Sequence, residues 1–235
     1  IKVLNITNKN ILFDYIPYLE IEQEKSDIKL ELNLDAQVNL SGAANITFFG
    51  QAGISMREFK YQNPEEKQKT IETFVNSLFD KSVKISSYEL KYLDSKETYP
   101  ILVFDFDIQN YAQQIGDKFL LFKMPLVNFE SSYVAEKERI YPLYFGNRYL
   151  NLLNIKIIIP ENFSINYLPP SIELKYSVHN FRNNLTSEKN IINYFQEEKC
   201  NDIRADINYY EDYKKYKEKL SQYSQEWIVL KSILK

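Results

Sequence analysis

The chain contains one cysteine, Cys200, and one histidine, His179, the residue types that form a nucleophile and its general base. Such a pair functions when the thiol and the imidazole lie within hydrogen-bond distance and a third group orients the base. The acidic residues beside Cys200 predict the tip of a hairpin and would raise rather than lower the pKa of its thiol. His179 follows a predicted strand over residues 172–178. We therefore interpret neither residue as catalytic.

Asp105 and Asp107 lie two positions apart on a predicted strand and therefore share one of its faces. Carboxylates in this arrangement could bind calcium or act as a general acid and base. A solvent-facing strand at a sheet edge also carries such charges, because they discourage pairing with another chain. We favour this structural interpretation, since a hydrolase would require these carboxylates to converge with others in a pocket. Asp202 and Asp206 are a similar but weaker case.

Two arginines have positions that suggest a specific role. Arg57 follows an apolar stretch in a predicted short helix, and Arg139 opens the second half of the chain. An arginine that is buried or lies at an interface needs a carboxylate or carbonyl partner. We interpret both as structural tethers, and the alternative is that they recognise the acidic group of a ligand.

The composition excludes several classes of function. A net charge of −3 over 235 residues argues against a general nucleic-acid binder, which needs an excess of Lys and Arg to neutralise phosphates. One Cys excludes an intramolecular disulfide and a thiolate zinc site, and one His excludes a multi-histidine metal site. No apolar run approaches the roughly 20 residues that cross a bilayer. We predict no catalytic, cofactor-binding or metal-binding residues, no nucleic-acid partner and no transmembrane segment.

Period-2 alternation of apolar residues predicts strands in the first half of the chain. These strands cover residues 28–34, 38–48, 83–93, 99–108 and 118–123. Gly42 is expected to form a bulge in the second of them. Residues 51–60 predict a short helix. Residues 64–80 predict a longer one, because Asn63 is a good N-cap, Pro64 fits the first helical position and an apolar stripe follows.

The second half shows the same alternation, followed by one more helix. The predicted strands cover residues 153–159, 163–167, 172–178, 191–195 and 203–209. Residues 210–227 predict a helix, and 228–230 form an apolar tail. Five large residues recur on this helix at helical spacing: Tyr213, Tyr216, Leu220, Tyr223 and Trp227. We interpret them as a packing stripe, because aromatic residues more often fill a core than stack on a sugar.

These elements predict a mainly β fold (β-rich α+β) of antiparallel β-sandwiches with one mid-chain helix and one C-terminal helix. A polar stretch without periodicity follows residue 126 and suggests a boundary. We therefore predict a first β-sandwich subdomain over residues 1–126, which contains the helix 64–80. A second β-sandwich subdomain is predicted over residues 139–235 and contains the helix 210–227.

Four segments of the chain are informative because of their order and spacing. Residues 32–59 contain an alternating strand and its return followed by GQAGISMRE, residues 139–145 read RIYPLYF, and residues 155–169 read IKIIIPENFSINYLP. Residues 210–230 close on spaced aromatic residues and an apolar end. In order and spacing, these segments resemble the C-terminal region of bacterial transglutaminase-like proteins. These proteins carry an N-terminal β domain, a papain-like core and a β-rich C-terminal region of unknown function. The family's Asp-Gly turn is replaced here by Asp35-Ala36.

The resemblance implies that the Cys, His and Asp of the family's active site belong to a core upstream of this chain. The chain itself would be a non-catalytic accessory region of an exported bacterial protein, located in the periplasm or outside the cell. Its expected partner is the upstream transglutaminase-like domain, or a separate protein or glycan. The alternative function is a carbohydrate-binding or adhesion module, which predicts an exposed row of aromatic residues on one sheet face or in a cleft.

Overall fold

The computed structural model of the chain describes residues 20–79, 81–129 and 138–233 in full. It also describes the backbone of two strands nearer the N-terminus, Lys2–Thr7 and Asn10–Tyr15, which pair antiparallel. Strands are the main secondary structure, and most of them pair antiparallel, so the predicted mainly β fold is confirmed. No helix in the described part of the chain is long and apolar enough to span a membrane.

The strands and helices are numbered separately in chain order. The strands are β1 (Lys2–Thr7), β2 (Asn10–Tyr15), β3 (Lys25–Leu34), β4 (Leu40–Phe48), β5 (Lys84–Lys91), β6 (Ile101–Ile108), β7 (Gln113–Ile115), β8 (Phe119–Phe122), β9 (Leu143–Tyr144), β10 (Tyr149–Ile158), β11 (Phe163–Tyr167), β12 (Glu173–Lys175), β13 (His179–Glu188), β14 (Ile191–Cys200), β15 (Arg204–Ala205) and β16 (Ile228–Ser232). The helices are α1 (Gly50–Arg57), α2 (Pro64–Leu78) and α3 (Tyr210–Ser224).

Eight strands form one sheet in the order β12-β13-β14-β10-β3-β4-β6-β5. Every neighbouring pair is antiparallel except β3 and β10, which run parallel and align Leu30 with Ile155. A four-stranded sheet has the order β11-β16-β8-β7, and β9 pairs with β15. The large sheet therefore contains strands from both halves of the chain.

Alternation along the strands decides which side chains enter the core. In β3, Leu30, Leu32 and Leu34 are buried while Glu31 and Asn33 are exposed, as the sequence predicts. The buried face of the large sheet packs on α2 and on the inner side of the small sheet, in one shared cluster. We call the opposite side of the large sheet its outer face. Its outward positions are largely polar because water remains in contact with them.

The two long helices begin at different kinds of caps. The Asn63 side chain accepts a hydrogen bond from the backbone N–H of Glu66 at 2.9 Å, which caps α2 as predicted. Ile71 and Val75 then point from α2 into the core. α3 continues directly from a short 3-10 turn, Ile207–Tyr209, whose Asp206 cap accepts from Asn208 N–H.

Several predicted elements are wrong in extent or kind. β4 pairs with β3 without a register shift at Gly42, and the irregularity lies instead in β5 between Ile85 and Ser87. Residues 203–209 contain only the two-residue strand β15 and a 3-10 turn. The apolar tail is β16, a central strand of the small sheet. The sequence does not predict β13, because polar residues such as Asn183 occupy some of its buried positions. The alternation of apolar and polar residues is therefore not visible there.

The division into subdomains 1–126 and 139–235 stays a prediction. Its boundary falls largely on residues 130–137, which lie outside the described residues, as does Asp80 at the predicted end of the mid-chain helix. What the structure describes is pairing across this boundary, since β3 belongs to the first range and β10 to the second.

We expect Ile155→Ala and Leu30→Ala each to lower the free energy of unfolding by about 2–5 kcal/mol, because each leaves a cavity beside the parallel strand pair. The measurement is urea unfolding followed both by the fluorescence of Trp227 and by far-UV circular dichroism. The two signals should coincide, because strands of both halves share one sheet. Lys156→Ala on the outer face is the control and should change the free energy by no more than about 0.5 kcal/mol. Separate transitions would show that the halves unfold independently.

Candidate functional site

Cys200 and His179 lie opposite each other on neighbouring strands, a relationship that the sequence did not reveal. β13 begins at His179 and β14 ends at Cys200, and the antiparallel register pairs the two residues. The predicted hairpin tip at Cys200 is therefore wrong, and His179 opens a strand instead of ending one. Both side chains are buried, since His179 is only 2% exposed and Cys200 0%.

The side chains of Cys200 and His179 form hydrogen bonds with different partners. The Cys200 Sγ donates to the backbone oxygen of Asp202 at 3.1 Å. The Nδ1 of His179 lies 3.2 Å from the Tyr209 hydroxyl, which also accepts the His179 backbone N–H at 3.2 Å. Among the described residues no hydrogen bond joins the thiol to the imidazole, although a nucleophile and its base need one.

Burial shifts both groups away from reactive ionisation states. Burial raises the pKa of the Cys200 thiol to about 11, and the charge of Glu198 contributes in the same direction. Burial, together with the charge of Lys217, lowers the pKa of His179 to about 4. At neutral pH the thiol is therefore protonated and the imidazole is uncharged. The sequence predicts the direction of this pKa shift of the thiol from the nearby glutamates, whereas burial is the larger cause.

Aromatic rings surround His179 and explain why it is buried. Phe145 meets the imidazole edge-on at 4.5 Å between ring centroids, and Tyr213 and Tyr216 lie at 5.1 and 5.2 Å. Next to this group, the Glu198 Oε1 accepts hydrogen bonds from the hydroxyls of Tyr149 at 3.1 Å and Tyr216 at 3.2 Å. Burial raises the pKa of both phenols, so they remain donors to the carboxylate. These residues hold α3 against β13 and β14.

The stripe on α3 has the packing role that the sequence predicted. Tyr216, Leu220 and Tyr223 are buried, and the first two join Leu174 and Phe181 in one cluster. Tyr213 is half-buried against His179. Trp227, beyond the end of the helix, is also only half-buried and lines a cavity. The sequence did not distinguish Trp227 from the other members, because helical spacing does not show where a helix ends.

The four candidate aspartates lie either on the outer face of the large sheet or in turns. Asp105 and Asp107 point to the outer face, and Asp105 accepts from the Ser87 hydroxyl at 2.6 Å. They lie on an interior strand, since β5 forms the edge, so the predicted edge position is wrong. Asp202 and Asp206 each accept a backbone N–H within a turn. The described residues contain no group of three or more His, Cys, Asp or Glu that could hold a metal ion.

The two arginines have partners consistent with tethering. Arg57 donates to the carbonyls of Ser95 at 2.7 Å and Thr98 at 2.9 Å, and this fastens α1 to the loop between β5 and β6. The guanidinium of Arg139 lies 5.7 Å from the centre of the Tyr210 ring. Arg139 is exposed and begins a segment that contacts the start of α3.

That segment is the most exposed apolar stretch in the described chain. Ile140 is 81% exposed, Tyr141 71% and Tyr144 73%, while Leu143 between them is buried. We call residues 139–144 the apolar segment. The C-terminal end of its backbone is fixed by the pairing of β9 with β15 and by a bond from Phe145 N–H to the carbonyl of Ile203 at 2.8 Å. The sequence pattern marked these residues only as part of a resemblance, because exposure depends on what packs around them.

One family model and one solved structure are similar to part of the chain. Residues 117–230, just under half of it, match the family described as a Domain of Unknown Function with solved-structure structure (DUF3858). No curated protein matches the chain. The crystal structure of a "putative protease" from Parabacteroides distasonis ATCC 8503 is similar with a TM-score of 0.41 and 11% sequence identity. The similarity covers 53% of this chain and 28% of that one, so this chain spans less than a third of that protein's length.

Lowering the pH should destabilise the protein through His179. Below pH 6.5 the unfolded chain takes up a proton on this residue, whereas the folded chain resists protonation until about pH 4. Stability should therefore fall as the pH drops through this window, by about 1.4 kcal/mol per pH unit. Urea unfolding near pH 7.5 and pH 5 measures the effect, and His179→Gln should show a smaller loss. An equal loss of unfolding free energy in the unmodified protein and in His179→Gln would contradict the assignment of this pH dependence to His179.

We expect Cys200 to resist alkylation in the folded protein. At about pH 8 the raised pKa reduces the thiolate fraction on the order of 100-fold relative to an ordinary cysteine, and burial limits access further. Labelling with iodoacetamide, followed by intact-mass spectrometry, measures the rate with and without about 6 M urea. Ser86→Cys, at an exposed position of β5, provides a matched accessible thiol. Fast labelling of native Cys200 would show that the thiol is reactive.

Proposed function

We propose that this chain is a non-catalytic accessory region of a larger bacterial transglutaminase-like protein, and that the apolar segment packs against its catalytic core. The proposal includes export to the periplasm or outside the cell, as the family resemblance implies. The observation that carries the docking role is the exposure of Ile140, Tyr141 and Tyr144 beside the short strand pair β9–β15, which holds the backbone at Leu143 and Tyr144. Neighbouring exposed apolar side chains of this size mark interaction sites in many proteins.

The composition of the apolar segment fits an interface. Tyrosine and arginine are enriched where proteins meet, because each combines a broad contact area with hydrogen-bonding groups. The buried Leu143 anchors the segment, so its exposed neighbours would lose little conformational freedom on docking. The single cysteine and histidine take part in packing: Cys200 belongs to the same buried cluster as Leu143 of the apolar segment, and Phe145 meets the His179 ring edge-on. This supports a role based on contact area instead of chemistry.

The outer face of the large sheet favours docking over the carbohydrate-binding alternative. Phe195 is the one aromatic residue at the outward positions of its eight strands, and the guanidinium of Arg182 lies 5.8 Å from its ring centre. The outer face therefore lacks the row of exposed rings that a sugar-stacking platform requires.

The test compares the isolated chain with the full-length protein that carries it. The triple variant Ile140→Ser, Tyr141→Ser and Tyr144→Ser should lower the melting temperature of the full-length protein by several degrees, about 3–6 °C, because buried interface area is lost. The isolated chain should change by about 1 °C or less, since these side chains are exposed in it. Differential scanning calorimetry measures both values.

Tyr61→Ser is the matched control, because Tyr61 is 81% exposed but lies in the turn after α1, away from the apolar segment. It should leave both melting temperatures unchanged. Equal melting of the triple variant and the unmodified full-length protein would contradict docking through this segment. Peptide hydrolysis or amine incorporation by the isolated chain that survives Cys200→Ala would contradict the non-catalytic assignment.

A further inference from the structure

A cavity of about 460 Å³ lies where the ends of α2 and α3 meet the loop that follows β8. Its size falls within the range of small-molecule sites, which are roughly 300–1,000 Å³. None of its lining residues belongs to the apolar segment or to the group around His179. It is therefore a separate feature of the fold.

The wall of the cavity combines apolar with polar surface, and it contains one unusual backbone position. Leu78, Met124 and Val127 contribute aliphatic surface, and Trp227, the one tryptophan of the chain, lines another part. Leu126 has a φ of 60°, in the left-handed region that a leucine rarely adopts. Such strained positions concentrate at ligand clamps and active sites. This backbone conformation occurs at a bulky residue in the wall of the cavity.

Two lysines line the cavity and retain hydrogen-bonding capacity. The Nζ of Lys81 donates to the carbonyls of Asn110 at 2.6 Å and Tyr111 at 2.9 Å. The Nζ of Lys123 donates to the Gln225 Oε1 at 2.5 Å. An ammonium group has three N–H donors, so Lys81 keeps one and Lys123 keeps two without a protein acceptor among the described residues.

These lysines, Lys81 and Lys123, have no acidic residue within ion-pair distance in the described part of the chain. The C-terminal ends of α2 and α3 lie at the cavity, and each carries about half a negative charge. Two ammonium groups exceed that sum, so the cavity keeps a net positive charge from these elements.

Each of these lysines also lies over one face of an aromatic ring. The Nζ of Lys81 lies 5.4 Å from the centre of the Tyr111 ring, and the Nζ of Lys123 lies 5.5 Å from that of Trp227. A neutral sugar would need an open ring face for stacking. The arrangement instead places cationic donors beside apolar surface, which matches a ligand with an anionic end and an apolar body.

We propose that this cavity binds the C-terminal end of an apolar peptide, with Lys123 and Lys81 receiving the terminal carboxylate and the Met124 and Trp227 side of the cavity contacting the apolar side chains. The amide side chains of Gln113 and Gln225 lie in the lining; Gln113 can supply a donor and an acceptor for the peptide groups, while the Gln225 Oε1 already accepts from Lys123. A short fatty acid offers the same carboxylate and apolar body but has no use for these amides. The site is independent of the docking role proposed for the apolar segment.

Trp227 provides a local signal for the test, because no other residue of the chain has an indole ring. The full 235-residue chain is titrated with N-acetyl-Leu-Leu, with its C-terminal amide and with hexanoate, and the tryptophan fluorescence is recorded. The free acid should give a saturable change. The amide and hexanoate should each bind at least about tenfold more weakly, because one lacks the charge and the other lacks the peptide groups.

Two lysine variants separate a site from a general charge effect. Lys123→Met removes the ammonium group but keeps an unbranched side chain, and it should weaken binding of N-acetyl-Leu-Leu by about tenfold or more. Lys215→Met alters an exposed lysine of α3 outside the cavity, changes the net charge equally and should leave the affinity unchanged.

Three outcomes would overturn the proposal. They are equal affinity for the acid and the amide, equal affinity for hexanoate, and the absence of saturation up to about 10 mM peptide. The acid and amide comparison uses the unmodified chain, so it decides the question even if Lys123→Met fails to fold. Saturable binding of a neutral oligosaccharide with the same fluorescence change, unaffected by Lys123→Met, would also overturn it and assign the cavity to a glycan.

Discussion

The parallel pairing of β3 with β10 is the contact on which the rest of the structure depends. All other contacts in the large sheet join antiparallel strands, and most of those strands are close in the sequence. This one joins a strand from each half of the chain, so that one continuous buried face extends from β5 to β12. α2, the small sheet and α3 all pack on that face. Without the pairing, each half would expose the unpaired backbone N–H and C=O groups of a strand edge to water.

The same buried face determines what the reactive side chains can do. Register places Cys200 opposite His179, but it also places both beneath α3, among aromatic rings that exclude water. Burial disfavours the charged forms, so the thiol holds its proton and the imidazole stays neutral. Proximity alone therefore does not make a catalytic pair. The hydrogen bonds to Asp202 and Tyr209 make these residues part of the packing between sheet and helix.

The surfaces suited to binding lie at the margins of this core. The apolar segment is held by the two short strands β9 and β15, and the cavity opens where two helices end beside the loop after β8. Neither could be located from spacing. Ile140 and Tyr141 have the same composition as a buried strand, and Lys123 and Trp227 are remote in sequence but lie together through the pairing of β8 with β16. Loops carried on a rigid core are a common location for binding residues.

The amino-acid sequence by itself determined the strands with clean alternation, such as β3, β6 and β10, and the capped helix α2, because side-chain periodicity and local hydrogen bonds decide these elements. It also determined the mainly β class. Only the tertiary structure decided that β13 is a strand despite its buried polar residues and that the residues after α3 form a central strand. It also decided that Cys200 and His179 are paired in the register of neighbouring strands. These features depend on pairing between segments far apart in the chain. The free energy of such pairing comes from shared burial, which no local pattern records.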